Sequence, residues 1–291
     1  MPGLLDEVRR ECARIASEAR WVTIDLDRAG ALEPGPAPGL DAERHYLEGS
    51  DEDVAAYLLT LDAINFGSGW FPTLRKRPGC SGYFTVAWAL SDRFREYGPW
   101  SSAELSALEA GEVAAVLGQA PDHELMSLYA EALRQLGAFL GERSALEVAR
   151  AADGSAESLA EALAEGMPFF RDLGFYKRAQ IVASDLALAG LAEFSDLDRL
   201  TIFADNLVPH VLRVDGVLRY RPDLAARIDA GELIPPGPEE REIRACAVHA
   251  CESIARATGV TPRELDGRLW NRGQLPRYKA VPRHRTRTVG Y

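Results

Sequence analysis

The sequence predicts an all-α protein with at most a minor hairpin, and three observations carry that prediction. Ala, Leu and Glu dominate long stretches such as SSAELSALEAGEVAAVLG and SAESLAEALAEG. Val54, Tyr57, Leu58, Leu61 and Ile64 recur at helical spacing. Helix start signals recur as well: Ser101 with Glu104 and Thr261 with Glu264 fit capping boxes, and Pro262 stands at a first helical position.

The elements follow in chain order. The first twenty residues, MPGLLDEVRRECARIASEAR, are charged and amphipathic. VTIDL near residue 22 is the first of two strand candidates; Val211 to Tyr220 is the second. Within the latter, RVDGVLRY reads either as a hairpin on its Asp-Gly turn or as a joint between helices. The proline-rich stretch Gly30 to Leu40 is a connector, too short to separate distant domains. An amphipathic helix over 54–64 ends near Asn65, where Gly67 and Gly69 let the chain turn. Phe175, Ala179, Val182, Leu186 and Ala189 form one apolar stripe, with Arg178 and Asp185 together at its edge as a partly buried ion pair. A helix from Glu239 to Thr258 holds Cys246 and Cys251, read as a reduced structural pair. The helix opened by Pro262 ends at Gly273 and Pro276. At 291 residues the chain is one domain, or two interlocked helical subdomains.

Composition excludes several classes. Hydrophobic residues make up 47% and charged residues 26%, which excludes general disorder. The net charge of -11 argues against broad, salt-driven duplex binding. No uncharged apolar run approaches the roughly 18 residues of a membrane span. The N-terminus lacks the apolar core of a signal peptide. Four cysteines fit neither a zinc ribbon nor a disulfide framework, so a reducing cytoplasm is the expected setting. Neither HExxH, a P-loop nor a GxSxG elbow occurs, and the five histidines stand at no metal-ligand spacing. No metal and no cofactor are expected, so chemistry falls to carboxylates, aromatics and fixed charges.

Four segments look too specific for a core. Phe66, Trp70 and Phe71 make either an aromatic plug or a wall for a flat ring. In FYKRAQIVASDLALAG, Lys177 points away from the stripe, toward solvent or an anion. In DLDRLTIFADNLVPHVLR, Leu200, Ala204 and Leu207 form one apolar face, with Val208 beside Thr201 and Asp205 on another. Such a helix is a buried one. Asp205 is then expected among apolar groups near the helix end that Pro209 enforces. Burial and the negative end of the helix dipole both disfavour its charged form there, so ionisation needs nearby donors. A capped structural aspartate and a carboxylate kept for chemistry are both open. Finally, Asp266 and Trp270 share a helix face. From Arg268 to Tyr291 there are seven basic residues and no acidic one. Mixed with prolines and aromatics, they suggest an ordered segment whose anionic partner is either the protein's own acidic surface or a phosphate.

Five segments in the same order, LDAINFGSGWFP, FYKRAQI, LTIFADNLVPHVLR, LDGRLWNRGQLPRYKA and PRHRTRTVGY, resemble the queuosine salvage proteins, the queuosine 5'-phosphate N-glycosylases. The resemblance runs from about His45 to Tyr291, and roughly 95 to 165 carries no matching motif. It implies hydrolysis of the N-glycosidic bond of queuosine 5'-monophosphate, giving queuine and ribose 5-phosphate for tRNA queuosine salvage. It implies a fold similar to the helix–hairpin–helix DNA glycosylases. It places the catalytic carboxylate in the FADN motif, at Asp205. It places base recognition at Phe203, the His45 region, Asp266 and Trp270.

The residues suit that chemistry. Glycosidic cleavage passes through an oxocarbenium-like sugar, and a carboxylate in a water-excluded site stabilises that charge. Asp205 serves as nucleophile, as base or as an electrostatic partner; the sequence leaves all three open. A deazapurine lacks N7, so departure of the base is helped through its six-membered ring edge, with Asp266 or His45 as candidates. Lys177, Lys279 and Arg285 are the candidate phosphate cradle. Small-molecule substrate binding is expected, without stable nucleic acid binding and without a membrane. Two other classes compete: a glycosylase that flips a base out of a nucleic acid, and a non-catalytic helical binding protein.

Overall fold

The computed structural model describes residues 3–31, 36–172 and 174–291. Two compact units divide the chain. Unit 1 combines the segment ending at Gly39 with Asp198–Val289 and Tyr291, and unit 2 spans Leu40–Leu197 with Gly290. Each is described by itself.

In chain order, unit 1 opens with α1 (Leu4–Ser17) and strand β1 (Val22–Ile24). Unit 2 holds α2 (Asp51–Ala63), α3 (Gly82–Tyr97), α4 (Ser102–Ala107), α5 (Ala110–Val116), α6 (Glu124–Leu140), α7 (Ala145–Arg150), α8 (Ala156–Gly166) and α9 (Lys177–Leu188). Unit 1 resumes with α10 (Leu207–Val214), β2 (Leu218–Tyr220), α11 (Pro222–Asp229), α12 (Pro238–Thr258), α13 (Pro262–Gly273) and α14 (Pro276–Lys279). The protein is mainly α-helical, and among the described residues its one sheet is the antiparallel pair β1–β2, with Val22 opposite Tyr220 and Ile24 opposite Leu218. Both strand candidates thus meet, though only the last three residues of the second are extended. The Asp-Gly step at 215–216 closes α10 and leads into β2; it does not turn a hairpin. Residues 32–35 of the Gly30 to Leu40 connector lie outside the described residues.

Ser101 and Glu104 form the expected reciprocal capping box on α4. At α13 only half of the expected box forms: Thr261 accepts from the Glu264 N–H, with Pro262 opening the helix. Ser50 and Asp53 form a further box on α2 that the sequence reading did not single out. Cys246 and Cys251 lie buried and reduced on α12.

In unit 1, α12 packs on α1, and α10 packs on α13. The second contact needs a glycine: a Cβ at Gly273 would stand 2.7 Å from Leu207 Cδ1. Glu242 of α12 ties down the edge of β1, its carboxylate accepting from the backbone N–H groups of Arg20, Trp21 and Val22 at 2.6–2.9 Å.

In unit 2, α2 and α9 pack together around a buried charged layer. Arg178 is fully buried. Its guanidinium donates to the carbonyls of Ala63 (2.6 Å) and Phe169 and lies between the rings of Phe66 and Phe170. Asp172 supplies the leading negative charge that acts on it. Phe66 and Trp70 are core residues, the plug of the two accounts above. Phe66 stands edge-on to Tyr129, and the Trp70 indole N–H donates to Glu124 at 2.7 Å.

Asp62 on α2 is the exception in this layer. It is fully buried, and Oδ2 has no hydrogen bond to a described residue. Burial, then the like charge of Asp185, raises its carboxyl well above the ordinary 3.8, while Asn65, Lys177 and Arg178 pull it back only partly. Its folded form therefore holds a proton that the unfolded chain releases. The associated stability is full below pH 3.8 and falls as pH rises toward the folded value. Asp62→Asn, which removes the titration at constant shape, is expected to raise the melting temperature at pH 8 by more than at pH 4. Equal shifts at both pH values would show that Asp62 does not titrate in this way.

Candidate active site

The segment around residue 205 departs from the helix that the sequence predicts. Thr201 to Ala204 are not helical, and α10 starts only at Leu207. Two physical reasons account for this. Thr201, Ile202 and Phe203 are weak helix formers. Pro209 falls in the first turn of α10, where its missing N–H has no intrahelical partner to lose. The proline therefore belongs to the start of a helix and does not enforce an end. Burial of the segment holds nonetheless: Leu200, Thr201, Ile202 and Ala204 are all at most 1% exposed.

The consequence for Asp205 is a reversal of sign. Its carboxylate sits at the positive end of α10 rather than at a negative one. Oδ1 accepts from the N–H groups of Leu207 (2.7 Å) and Val208 (3.0 Å). Donors thus compensate charge on that oxygen. An ordinary N-cap aspartate makes the same two bonds. What sets Asp205 apart is the rest of its setting. It is half-buried, and Oδ2 makes no hydrogen bond to any described residue.

Both neighbours of Asp205 are clamped. Arg244 Nε donates to the Ala204 carbonyl at 2.8 Å, and Asn206 Nδ2 donates to the His284 carbonyl at 3.0 Å. Arg244 is itself buried, 3.5 Å from Glu240 and stacked 4.8 Å above the Tyr291 ring. His284 lies edge-on to Tyr291 and is buried; desolvation pushes its imidazole down to about 3, so it is neutral. Asp266, 5% exposed on α13, accepts from the Phe203 N–H at 2.8 Å and so fixes the backbone two residues before Asp205. Trp270, one turn further along α13, is half-buried.

Unit 1 thus brings Asp205, Phe203 and Asp266 together. His45 and Lys177 belong to unit 2. His45 is buried; Nδ1 accepts from the Asp41 N–H (2.9 Å), which leaves the ring proton on Nε2, 3.0 Å from Tyr83 Oη. Burial pushes this imidazole down to about 4, so it is neutral at pH 7. Lys177 does not project into solvent: it is 5% exposed, and Nζ donates to the Asn65 carbonyl (2.9 Å) and side chain (3.3 Å).

The basic run finds most of its partners inside unit 1. Arg268 pairs with Glu264, and Asp215 receives both Arg272 (2.9 Å) and Arg277 (2.5 Å). Arg285 donates to the Gly231 carbonyl, and Lys279 is exposed at the end of α14. Of the two partners offered above, the protein's own acidic surface serves three of these arginines.

Sequence reasoning passed over Tyr83, Arg244 and Tyr291. Arg244 carried a signal, a cation inside the apolar run IRACAVHAC. Tyr83 and Tyr291 carried none. A cavity of about 360 Å³ in unit 2, bordered by Arg75, Lys76, Arg77 and Thr85, includes none of the residues singled out in the sequence.

A helical unit that presents a half-free carboxylate at a helix N-terminus, braced by a basic C-terminal segment, fits a class of enzyme built on one fixed acidic group. The family model described as queuosine salvage protein matches residues 45–291, and the chain belongs to that family. A Sphaerobacter thermophilus protein named queuosine 5'-phosphate N-glycosylase/hydrolase is 35% identical, the match covering 99% of this chain and 98% of that protein. Proteins of the same name from Bos taurus (30% identical, 100% of both chains) and Mus musculus (28%, covering 97% and 98%) also align along nearly their whole length.

Proposed function

We propose that the protein hydrolyses the N-glycosidic bond of queuosine 5'-monophosphate, releasing queuine and ribose 5-phosphate, with Asp205 as the catalytic carboxylate. Family membership and full-length similarity to proteins bearing that name support the substrate. The observation that carries the residue is the divided role of the Asp205 oxygens. Two helix N–H groups hold Oδ1, while Oδ2 is left to the sugar.

As the C1'–N bond lengthens, positive charge develops on the ribosyl ring. A fixed carboxylate, already oriented and partly withdrawn from water, stabilises that charge without reorganising. Water then completes the ribose. Asp266 and the Phe203 backbone it fixes are assigned to the base, together with the Trp270 ring. His45, neutral and bonded at both nitrogens, is assigned to orienting Tyr83 rather than to donating a proton from an imidazolium. The internal pairing of Arg268, Arg272 and Arg277 removes three of the seven cations of this run from reach of a nucleic acid polymer, and the net charge of -11 also disfavours such a substrate.

The test is direct. Purified protein incubated with queuosine 5'-monophosphate is expected to release free queuine and ribose 5-phosphate in equal amounts, followed by chromatography. Absence of queuine release at high enzyme concentration overturns the assignment.

A further inference from the structure

Arg283 is the cation of the basic run that the structure leaves unexplained. Among the described residues it makes no hydrogen bond and no ion pair, although it is only half exposed. Its backbone is not loose. Asn206 Nδ2 bonds the next carbonyl, at His284, and the Ile234 N–H bonds the carbonyl of Arg285 at 2.8 Å, where Leu233 and Arg285 form a parallel bridge. On this stretch His284 and Thr286 are buried, at 1% and 0% exposed. Arg283, between exposed Pro282 and buried His284, is itself partly buried. Asp205 acts on its charge, yet no ion pair joins them; desolvation makes the guanidinium's proton easier to lose. A cation held in a fixed place, partly stripped of water and without an anion, is costly unless a ligand brings the anion.

We propose that Arg283 binds the phosphate of a nucleoside 5'-monophosphate substrate while Asp205 addresses the anomeric carbon of the same ribose. This rests on the reading of Asp205 given above. It replaces Lys177, Lys279 and Arg285 as the principal phosphate ligand. Lys177 and Arg285 already hold carbonyl groups, and Lys279 is exposed at the end of α14.

Two measurements on the full chain test it. Arg283→Gln is expected to lower kcat/KM for queuosine 5'-monophosphate by about 100-fold, the range for truncating one side of a desolvated charge pair. The loss on the unphosphorylated nucleoside is expected to be at least tenfold smaller, and Arg283→Lys is expected to recover part of the nucleotide activity. Equal losses on both substrates, or no loss on the nucleotide, overturn the proposal. The second measurement needs no turnover: calorimetric titration with ribose 5-phosphate, with ribose as the control. Wild-type and Asp205→Asn proteins are expected to bind ribose 5-phosphate, and Arg283→Gln and Arg283→Lys to bind it more weakly, in that order of loss. Failure of the wild type to prefer ribose 5-phosphate over ribose overturns the Arg283 assignment. A fully active Asp205→Asn protein overturns only the assignment of Asp205.

Discussion

Asp205→Asn is expected to slow queuine release by about 10³-fold while leaving the protein folded, a loss of roughly 4 kcal/mol of transition-state stabilisation. The substitution is informative because asparagine caps a helix about as well as aspartate. The side-chain oxygen of the introduced asparagine still accepts from the N–H groups of Leu207 and Val208, so the start of α10 keeps its shape. What disappears is the negative charge that meets the ribosyl cation. A capping role predicts unchanged kcat with unchanged melting temperature. A chemical role predicts collapse of kcat at unchanged melting temperature, and similar binding of ribose 5-phosphate. A variant that keeps more than a tenth of wild-type kcat removes Asp205 from the chemistry.

Arg178→Met is expected to be the most destabilising single change in unit 2, by about 3–5 kcal/mol, the range for removing one partner from a buried charged network. Methionine fills much of the volume between Phe66 and Phe170. It leaves the carbonyls of Ala63 and Phe169 without their donors, and Asp172 without the guanidinium charge. Burial already lowers the hold of Arg178 on its proton, to about 10, which remains high enough for a full charge at neutral pH. Lysine is a poor substitute, because a single ammonium on a flexible stem cannot hold both carbonyls in the planar geometry of the fork. Urea denaturation followed by circular dichroism measures the effect. A loss below about 1 kcal/mol would mean that apolar packing alone secures this layer.

The sequence by itself determined the helical class and several helix starts, those at Ser101 and Pro262 among them. Those features are local. Capping pairs such as Ser101 with Glu104 act over three residues, and the stripe of α2 repeats within a few turns, so neighbouring letters suffice to read them. The FADN and PRHRTRTVGY segments were legible for a different reason: they resemble a family, and the match over 45–291 bears that out. Tertiary structure alone decided how the carboxylate is held. The apolar pattern around Leu200 fits a helix, but packing buries those side chains just as well without one, and Pro209 serves a helix start. That choice puts Asp205 at the positive end of α10 instead of the negative. It also decided which cations are spent. Asp215 lies 57 and 62 positions before the arginines it neutralises, Arg272 and Arg277, and no local pattern encodes such a pairing. Only folding shows that Arg283 is left over, because the charge of an arginine is set by its type while its availability is set by every other group that reaches it.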